Sequence, residues 1–237
     1  NNLMVTRTSQ ERFRTDKGVF DAFTNKNLYE LKKRGYFDEL ESPIFVGKES
    51  NVFSAKRGKK KVIIKIYRVQ NCDFKRMFQY IKQDPRYDFL RNKRREIIFS
   101  WTQREYKNLL RAEKGKVKVP KAIAVRSNIL VEEFIGDSEP APPLKDAYPE
   151  DPQKFFNALI KEIRKMYKIK LIHGDLSSFN ILNYNGKPVL IDFSQGTLTK
   201  TPNSEELLIR DVNNIIKFFK KLGVKADFDK IMEKIKK

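Results

Sequence analysis

The Asn-Gly pair at 185–186, set between two short apolar runs, constrains this chain more than any other feature. From 181 to 191 the order is short strand, Asn185-Gly186, short strand. Asn-Gly is the strongest two-residue hairpin signal, because both central residues of its turn need positive φ. Pairing of the two strands carries the loop before them toward the residues after them, so Asp175 and Asn180 are expected beside Asp192. The same stretch, 171–195, holds His173, the only histidine. Oxygen ligands grouped in this way suit Mg²⁺, which takes one or two carboxylates with substrate phosphates rather than a full protein cage. Taken singly, an Asp after a strand reads as a turn residue or helix cap, and a lone His as structural. The joint order and spacing point to chemistry.

Phosphoryl transfer is the reaction class that fits. The protein-kinase pattern needs an Asp in the catalytic loop, an Asn five residues later on a metal, and an Asp-Phe-Gly whose Asp holds Mg²⁺. Asp175 and Asn180 have that five-residue spacing, and Asp192-Phe193-Ser194 stands where Asp-Phe-Gly would. Two positions depart from the pattern. Gly174 replaces the Arg of His-Arg-Asp, which removes the cation that would read a phosphorylated activation loop. Ser194 replaces the final Gly, so the turn there is less free.

The front half supplies a cation. Residues 44–69 read as three antiparallel strands turning at Gly47-Lys48 and Arg57-Gly58. A Walker loop is excluded, since Lys48 is followed by Glu49 and no glycine lies five residues before Gly47. What remains is a glycine turn whose N–H groups could lie over phosphates. In the third strand Val62, Ile64 and Ile66 share one face and Ile63, Lys65 and Tyr67 the other. Lys65, within Val-Ile-Ile-Lys, is the lysine most enclosed by apolar neighbours and needs an anion. A helix over 93–113 places Ile97, Trp101, Glu105 and Leu109 on one stripe. Burying Glu105 alone would cost several kcal/mol, so Lys65 is its expected partner; the alternative leaves Glu105 at the stripe's edge, reaching water. In kinases such a Lys–Glu pair positions the α- and β-phosphates.

Elsewhere, 1–18 is polar and weakly periodic. Asn25 is expected to cap a helix over 25–34 with Leu28 and Leu31 inward, and extended chain begins at Pro43. Residues 71–92 read as a polar, basic stretch without Ser or Thr. A hairpin turns at Ser127-Asn128, and 136–149, with four prolines, reads as a linker between lobes. Asp151 and Pro152 open a helix burying Phe155, Phe156, Leu159, Ile163 and Met166. In a helix over 205–222, Asp211 falls on the apolar stripe and is expected to accept N–H groups of the catalytic loop. Only about ten residues separate Gln195 from that helix, leaving no room for an activation segment or peptide-docking helices. Asp227 starts a last amphipathic helix with Phe228, Ile231, Met232 and Ile235 inward. These elements predict an α+β, bilobal protein-kinase-like fold. Residues 1–43 form a helical extension packed on the kinase domain, 44–135 an N-lobe of antiparallel sheet with one helix that binds nucleotide, and 136–237 a reduced, mainly helical C-lobe carrying catalysis and metal.

The 237 residues are 40% hydrophobic, enough for a real core. Fifty Lys and Arg against 30 Asp and Glu leave a charge of +20, which points to a polyanion, RNA or ribonucleoprotein, or alternatively to a surface adapted to heat or salt. No apolar run approaches the ~20 residues that span a bilayer. One cysteine, Cys72, excludes an internal disulfide and, with one histidine, a Cys/His zinc site. The absence of a signal-peptide pattern predicts a cytoplasmic protein.

With these pieces in order, the chain resembles the RIO family of atypical serine/threonine protein kinases, and within it the first (type 1) subfamily in an archaeal-like form. The resemblance rests on VFDAFTNKNLYELKKRGYFDELESPIFVGKESNVFSAK, HGDLSSFNIL, LIDFSQG and LLIRDVNNIIKFFKKLGV. The second subfamily carries a longer winged-helix domain ahead of its kinase fold and Pro where Ser194 stands. The resemblance implies that Lys65 and Glu105 set the phosphates, that Asp175 is catalytic, and that Asn180 with Asp192 binds Mg²⁺ or Mn²⁺. Gly47, Lys48, Ser50 and Val52 would cover ATP, and the backbone of Glu133 and Ile135 would hold adenine. It further implies phosphorylation of Ser/Thr on itself and on a protein substrate, ATPase activity with a transient phosphate on the metal-binding Asp192, and a role in maturation of the pre-ribosomal small subunit through its rRNA. Two rival readings are an RNA-binding assembly factor using ATP as a slow switch, and a small-molecule phosphotransferase of the aminoglycoside or choline kinase type. The short second lobe counts against the latter.

Overall fold

The computed structural model describes residues 20–70 and 72–237; the readings made for 1–18 and for Asn71 lie outside the described residues. The first helix, α1 (Ala22–Lys33), starts three residues earlier than the sequence suggests. The Asp21 carboxylate accepts from the Thr24 N–H at 2.7 Å and so takes the capping role. Asn25 lies inside the first turn and donates to the Phe20 carbonyl at 3.0 Å.

Strands β1 (Glu39–Val46), β2 (Ser50–Arg57), β3 (Lys60–Tyr67), β4 (Ala122–Arg126) and β5 (Ile129–Glu133) form one antiparallel sheet in the order β1-β2-β3-β5-β4. Pro43 lies within β1, between two register irregularities, rather than at its start. That is where an edge strand tolerates a residue with no N–H to donate. Alternation along β3 divides the sheet. Val62, Ile64 and Ile66 pack with Phe53, Ala55, Ile129 and Val131 under Leu28 and Leu31 of α1, each fully buried aliphatic side chain contributing about 1.5–3 kcal/mol. Ile63, Lys65 and Tyr67 therefore face the other way, toward the rest of the molecule.

Residues 71–92 are more than a polar stretch. They hold α2 (Phe74–Lys82), capped by Asp73, and a 3₁₀ turn (Pro85–Tyr87) capped by Asp84. Met77, Ile81, Tyr87 and Leu90 are buried against Ile97, Ile98 and Trp101. The apolar positions 74, 77, 78 and 81 have helical spacing, and the intervening Lys and Arg residues occupy the outer face. The long α3 (Arg94–Lys114) runs from this cluster into the second half, where Leu109 and Ala112 join the main core.

That core is built by α4 (Pro152–Lys168), capped by Asp151 at 2.9 Å from the Lys154 N–H, together with the later helices α5 (Ser204–Lys220) and α6 (Phe228–Lys236). Strand β6 (Leu171–Ile172) pairs with β9 (Thr197–Leu198), and β7 (Ile181–Tyr184) with β8 (Lys187–Leu190). Asn185 and Gly186 have φ of 51° and 71°, the double left-handed turn that the Asn-Gly pair predicts. The proline-rich 136–149 is docked chain: Leu144 is fully buried, its N–H donates to the Ile181 carbonyl at 2.7 Å, and the Asn183 N–H donates to the Pro142 carbonyl at 2.9 Å.

Candidate active site

Lys65 projects from the middle of β3 and is buried. Its Nζ lies 2.8 Å from Glu105 Oε1 and 3.0 Å from Asp192 Oδ1. Glu105 is wholly buried on α3, so the alternative in which it reaches water does not hold. Its second oxygen accepts the Tyr67 hydroxyl, from two residues further along β3. Burial opposes the charge on Lys65, but Asp192 and then Glu105 outweigh it and hold the ammonium well above the usual lysine range. For Asp192 burial acts upward, yet Lys65 and the Ser194 hydroxyl, 2.7 Å from Oδ1, bring the carboxyl down to about 2. Glu105 shifts up, because burial and Asp192 outweigh Lys65. One fixed cation thus serves two carboxylates from opposite halves of the chain.

Asp192 follows β8 with φ of 61°, an uncommon conformation for a residue with a side chain, and the turn is held from several sides. The Asn108 amide on α3 donates to the carbonyls of Phe193 (3.0 Å) and Gly196 (2.8 Å), and Arg104 reaches the Ser194 carbonyl at 3.5 Å. Tyr80 of α2 donates to the Gln195 carbonyl at 3.0 Å. Asp84, which accepts from Arg86 and Arg104, ties the 3₁₀ turn into the same network, and Arg86 donates to Asn108 Oδ1 at 2.9 Å. None of Asn108, Arg104 or Asp84 was singled out from the sequence. Arg104 and Asn108 stand four residues apart on α3, beside the stripe that gave Glu105, and that offset was the available signal.

Asp175 lies exposed in the loop after β6, and desolvation, then repulsion from Asp192, raise its pKa. Asn180 donates to the Asp175 carbonyl at 2.8 Å, which leaves its own side-chain oxygen without a protein donor among the described residues. The loop hangs on Asp211, buried on α5, which accepts the N–H groups of Gly174 (2.7 Å) and Leu176 (2.8 Å) as the sequence suggested. Gly174 has φ of 78°, and a Cβ there would meet the Gln195 carbonyl at 2.8 Å. An Arg in its place has neither the conformation nor the space. His173 is structural: buried, its Nε2 sits 2.9 Å from the Ile191 carbonyl and its ring packs on Phe193.

Across the cleft, the Gly47 N–H donates to the Ser50 carbonyl at 2.9 Å, closing the turn between β1 and β2, while Lys48 is exposed. Val52 lies directly opposite Lys65 in the sheet. The Glu133 N–H is taken by the Lys121 carbonyl at 2.9 Å and the Ile135 carbonyl by the Ala141 N–H at 2.8 Å, whereas the Ile135 N–H has no partner among the described residues. Glu132 pairs with Ile63, two residues from Lys65 on the same face, and the sequence reading passed over it.

Residues 51–231 match the RIO domain. The chain belongs to the RIO family of protein kinases. It is 40% identical over 228 residues to the RIO-type serine/threonine-protein kinase Rio1 of Methanocaldococcus jannaschii, covering 95% of this chain and 78% of that protein. It is 36% identical over 225 residues to Rio1 of Haloferax volcanii, covering 94% and 78%. Among solved structures, the Rio2 kinase of Chaetomium thermophilum in its ADP/Mg²⁺-phosphoaspartate complex matches with a TM-score of 0.70 at 25% identity, over 89% of this chain and 66% of that one. This chain thus spans just under two thirds of that structure. The α+β, bilobal kinase-like fold and the RIO resemblance read from the sequence are both borne out. Among the described residues, no helix is long and apolar enough to cross a membrane.

Proposed function

We propose that the chain is a Mg-ATP-dependent phosphotransferase of the Rio1 type, acting on serine or threonine and on water. The observation that carries this reading is Lys65 bridging Glu105 and Asp192, at 2.8 and 3.0 Å, across the two halves of the fold. A buried ammonium so fixed would meet the α- and β-phosphates without reorganising. The Ile135 N–H and the Glu133 carbonyl would receive adenine, and Gly47, Lys48, Ser50 and Val52 would cover the triphosphate.

The donor set fits Mg²⁺. Asp192 Oδ2 and Asn180 Oδ1 are hard oxygens without protein partners among the described residues, where no cluster of three or more His, Cys, Asp or Glu could hold a metal unaided. That matches an ion completed by phosphates and water, and Mn²⁺ would accept the same donors. When bound, the ion would neutralise charge on the phosphates. Asp175 would orient the attacking hydroxyl and take its proton, a task helped by its raised pKa. The oxygen–γ-phosphorus bond forms as the β–γ bridging bond breaks and ADP leaves. The Chaetomium relative was solved as a phosphoaspartate, and Asp192 is the residue here that would carry such a phosphate before water releases it.

Lys65→Ala and Asp192→Ala should abolish metal-dependent ATP turnover with circular dichroism unchanged; wild-type rates in either would end this assignment. The charge of +20 supports a pre-ribosomal small subunit or its rRNA as partner. A switch without a protein substrate is favoured by the short path from Gln195 to α5, pinned through β9 to β6, which offers no peptide platform. Phosphate release stimulated by pre-ribosomal particles, with no protein labelled, would decide for the switch.

A further inference from the structure

Glu132, on β5, brings to the cleft a carboxyl that the proposed chemistry does not use. Glu132 and Ile63 lie opposite each other in the β3–β5 pairing, as do Leu130 and Lys65, so the Glu132 side chain leaves the sheet on the Lys65 face. On β4 its neighbour is Ala122, which offers no charge. The ionisable groups that bear on it are Glu105 of α3, Lys65 of β3 and Asp192 after β8. Lys65 is committed to Glu105 and Asp192, and the Glu132 carboxyl has no hydrogen bond or ion pair among the described residues. Three carboxyls around one ammonium leave an excess of negative charge, and the one without a partner is where a proton is best kept. Burial, then Glu105, push its pKa up to about 8.

A neutral carboxyl presents a donor and an acceptor side by side. Adenine's Hoogsteen edge presents the complement, an acceptor at N7 and a donor at the 6-amino group, whereas guanine presents two acceptors. This step rests on the nucleotide seat proposed above. With the base's Watson–Crick edge on the backbone at 133–135, its N7 side turns inward, toward the residue that precedes Glu133 on the strand. We propose that Glu132 reads this edge, donating to N7 and accepting from the 6-amino group, and thereby selects ATP over GTP.

The test is equilibrium binding by calorimetry of ATP, 7-deaza-ATP and GTP, each with Mg²⁺, to the full chain. At pH 6.5 the wild type should bind ATP about tenfold more tightly than 7-deaza-ATP, the loss of one hydrogen bond, and GTP more weakly still. The ATP advantage should fade above pH 8, when Glu132 ionises. Glu132→Gln, whose amide offers the same donor and acceptor, should keep the advantage and lose its pH dependence, and Glu132→Met should lose the advantage at every pH. Equal binding of ATP and 7-deaza-ATP by the wild type, or an undiminished ratio in Glu132→Met, would overturn the proposal. If ATP fails to bind, or binds undiminished to Lys65→Ala, the nucleotide site itself is wrong; if ATP binds through Lys65 but the ratios are flat, only the role of Glu132 falls.

Discussion

The side-chain amide of Asn108 donates to the Phe193 carbonyl at 3.0 Å, so α3 holds the Asp192 turn directly as well as through Glu105 and Lys65. The same nitrogen serves Gly196 at 2.8 Å, where a Cβ would lie only 2.7 Å from it. Asn108→Ala leaves the Gly196 carbonyl without a donor among the described residues, takes one of two donors from the Phe193 carbonyl, which keeps the Gly196 N–H at 3.0 Å, and removes the acceptor of Arg86, which together should cost about 1–3 kcal/mol. Because the freed atoms flank Asp192, ATP turnover should fall at least tenfold while α3 stays helical. Thermal denaturation beside a turnover assay reads both, and a stability loss with unchanged turnover would show the tether to be structural only.

Gly174 offers a second test. At φ of 78°, with the Gln195 carbonyl and the Tyr80 hydroxyl each 2.8 Å from a Cβ there, Gly174→Ala adds backbone strain to overlap. We expect a loss of about 1–3 kcal/mol. The displaced loop carries Asp175, so kcat should drop more than KM rises. A variant as stable and active as the wild type would mean that the approach of 195 to 174 relaxes freely.

Much of this site could be read without coordinates because its residues break local rules. Lys65 sits in a buried strand and Glu105 on an apolar stripe, and burial charges heavily for each alone, so each announced the other. The Asn185-Gly186 turn likewise forced the hairpin that delivers Asp192. Asp21 and α2 escaped because competing signals masked them: Asn25 is as good a cap as Asp21, and the lysines and arginines of 71–92 outnumber the apolar residues at 74, 77, 78 and 81 that α2 buries. The Asp84–Arg86–Arg104–Asn108 network joins segments far apart in sequence, and no local pattern marks such a pairing. Glu132 was hidden by register, since only the β3–β5 pairing shows which face it takes.

The acid limb of stability should belong in part to Asp192. Its pKa falls from 3.8 to about 2 in the folded chain, so the folded state binds fewer protons than the unfolded state in that interval. A depressed carboxylate contributes stability that is present above its unfolded pKa and lost as pH drops through the folded one. Urea unfolding between pH 5 and 2 should therefore show a decline that is shallower in Asp192→Asn. An identical slope would place the ion pair's contribution elsewhere.

Finally, α3 begins against its own dipole. Lys93, Arg94 and Arg95 occupy its cap and first turn, where cations lose about 0.3–1 kcal/mol each and only Glu96 offsets them. The β2–β3 hairpin carries a second exposed cluster, Lys56, Arg57, Lys59 and Lys60. Such unfavourable placement is explained if a polyanion supplies the missing negative charge. The logarithm of the affinity for structured RNA should then fall linearly with log salt, by about 0.7–0.9 in slope per phosphate engaged. Replacing Arg57, Lys59 and Lys60 with Glu should remove about three phosphate contacts' worth of that slope and leave ATP turnover intact, since none of them touches the cleft network. A filter-binding titration with a salt-independent affinity would remove RNA from the account and leave phosphoryl transfer standing.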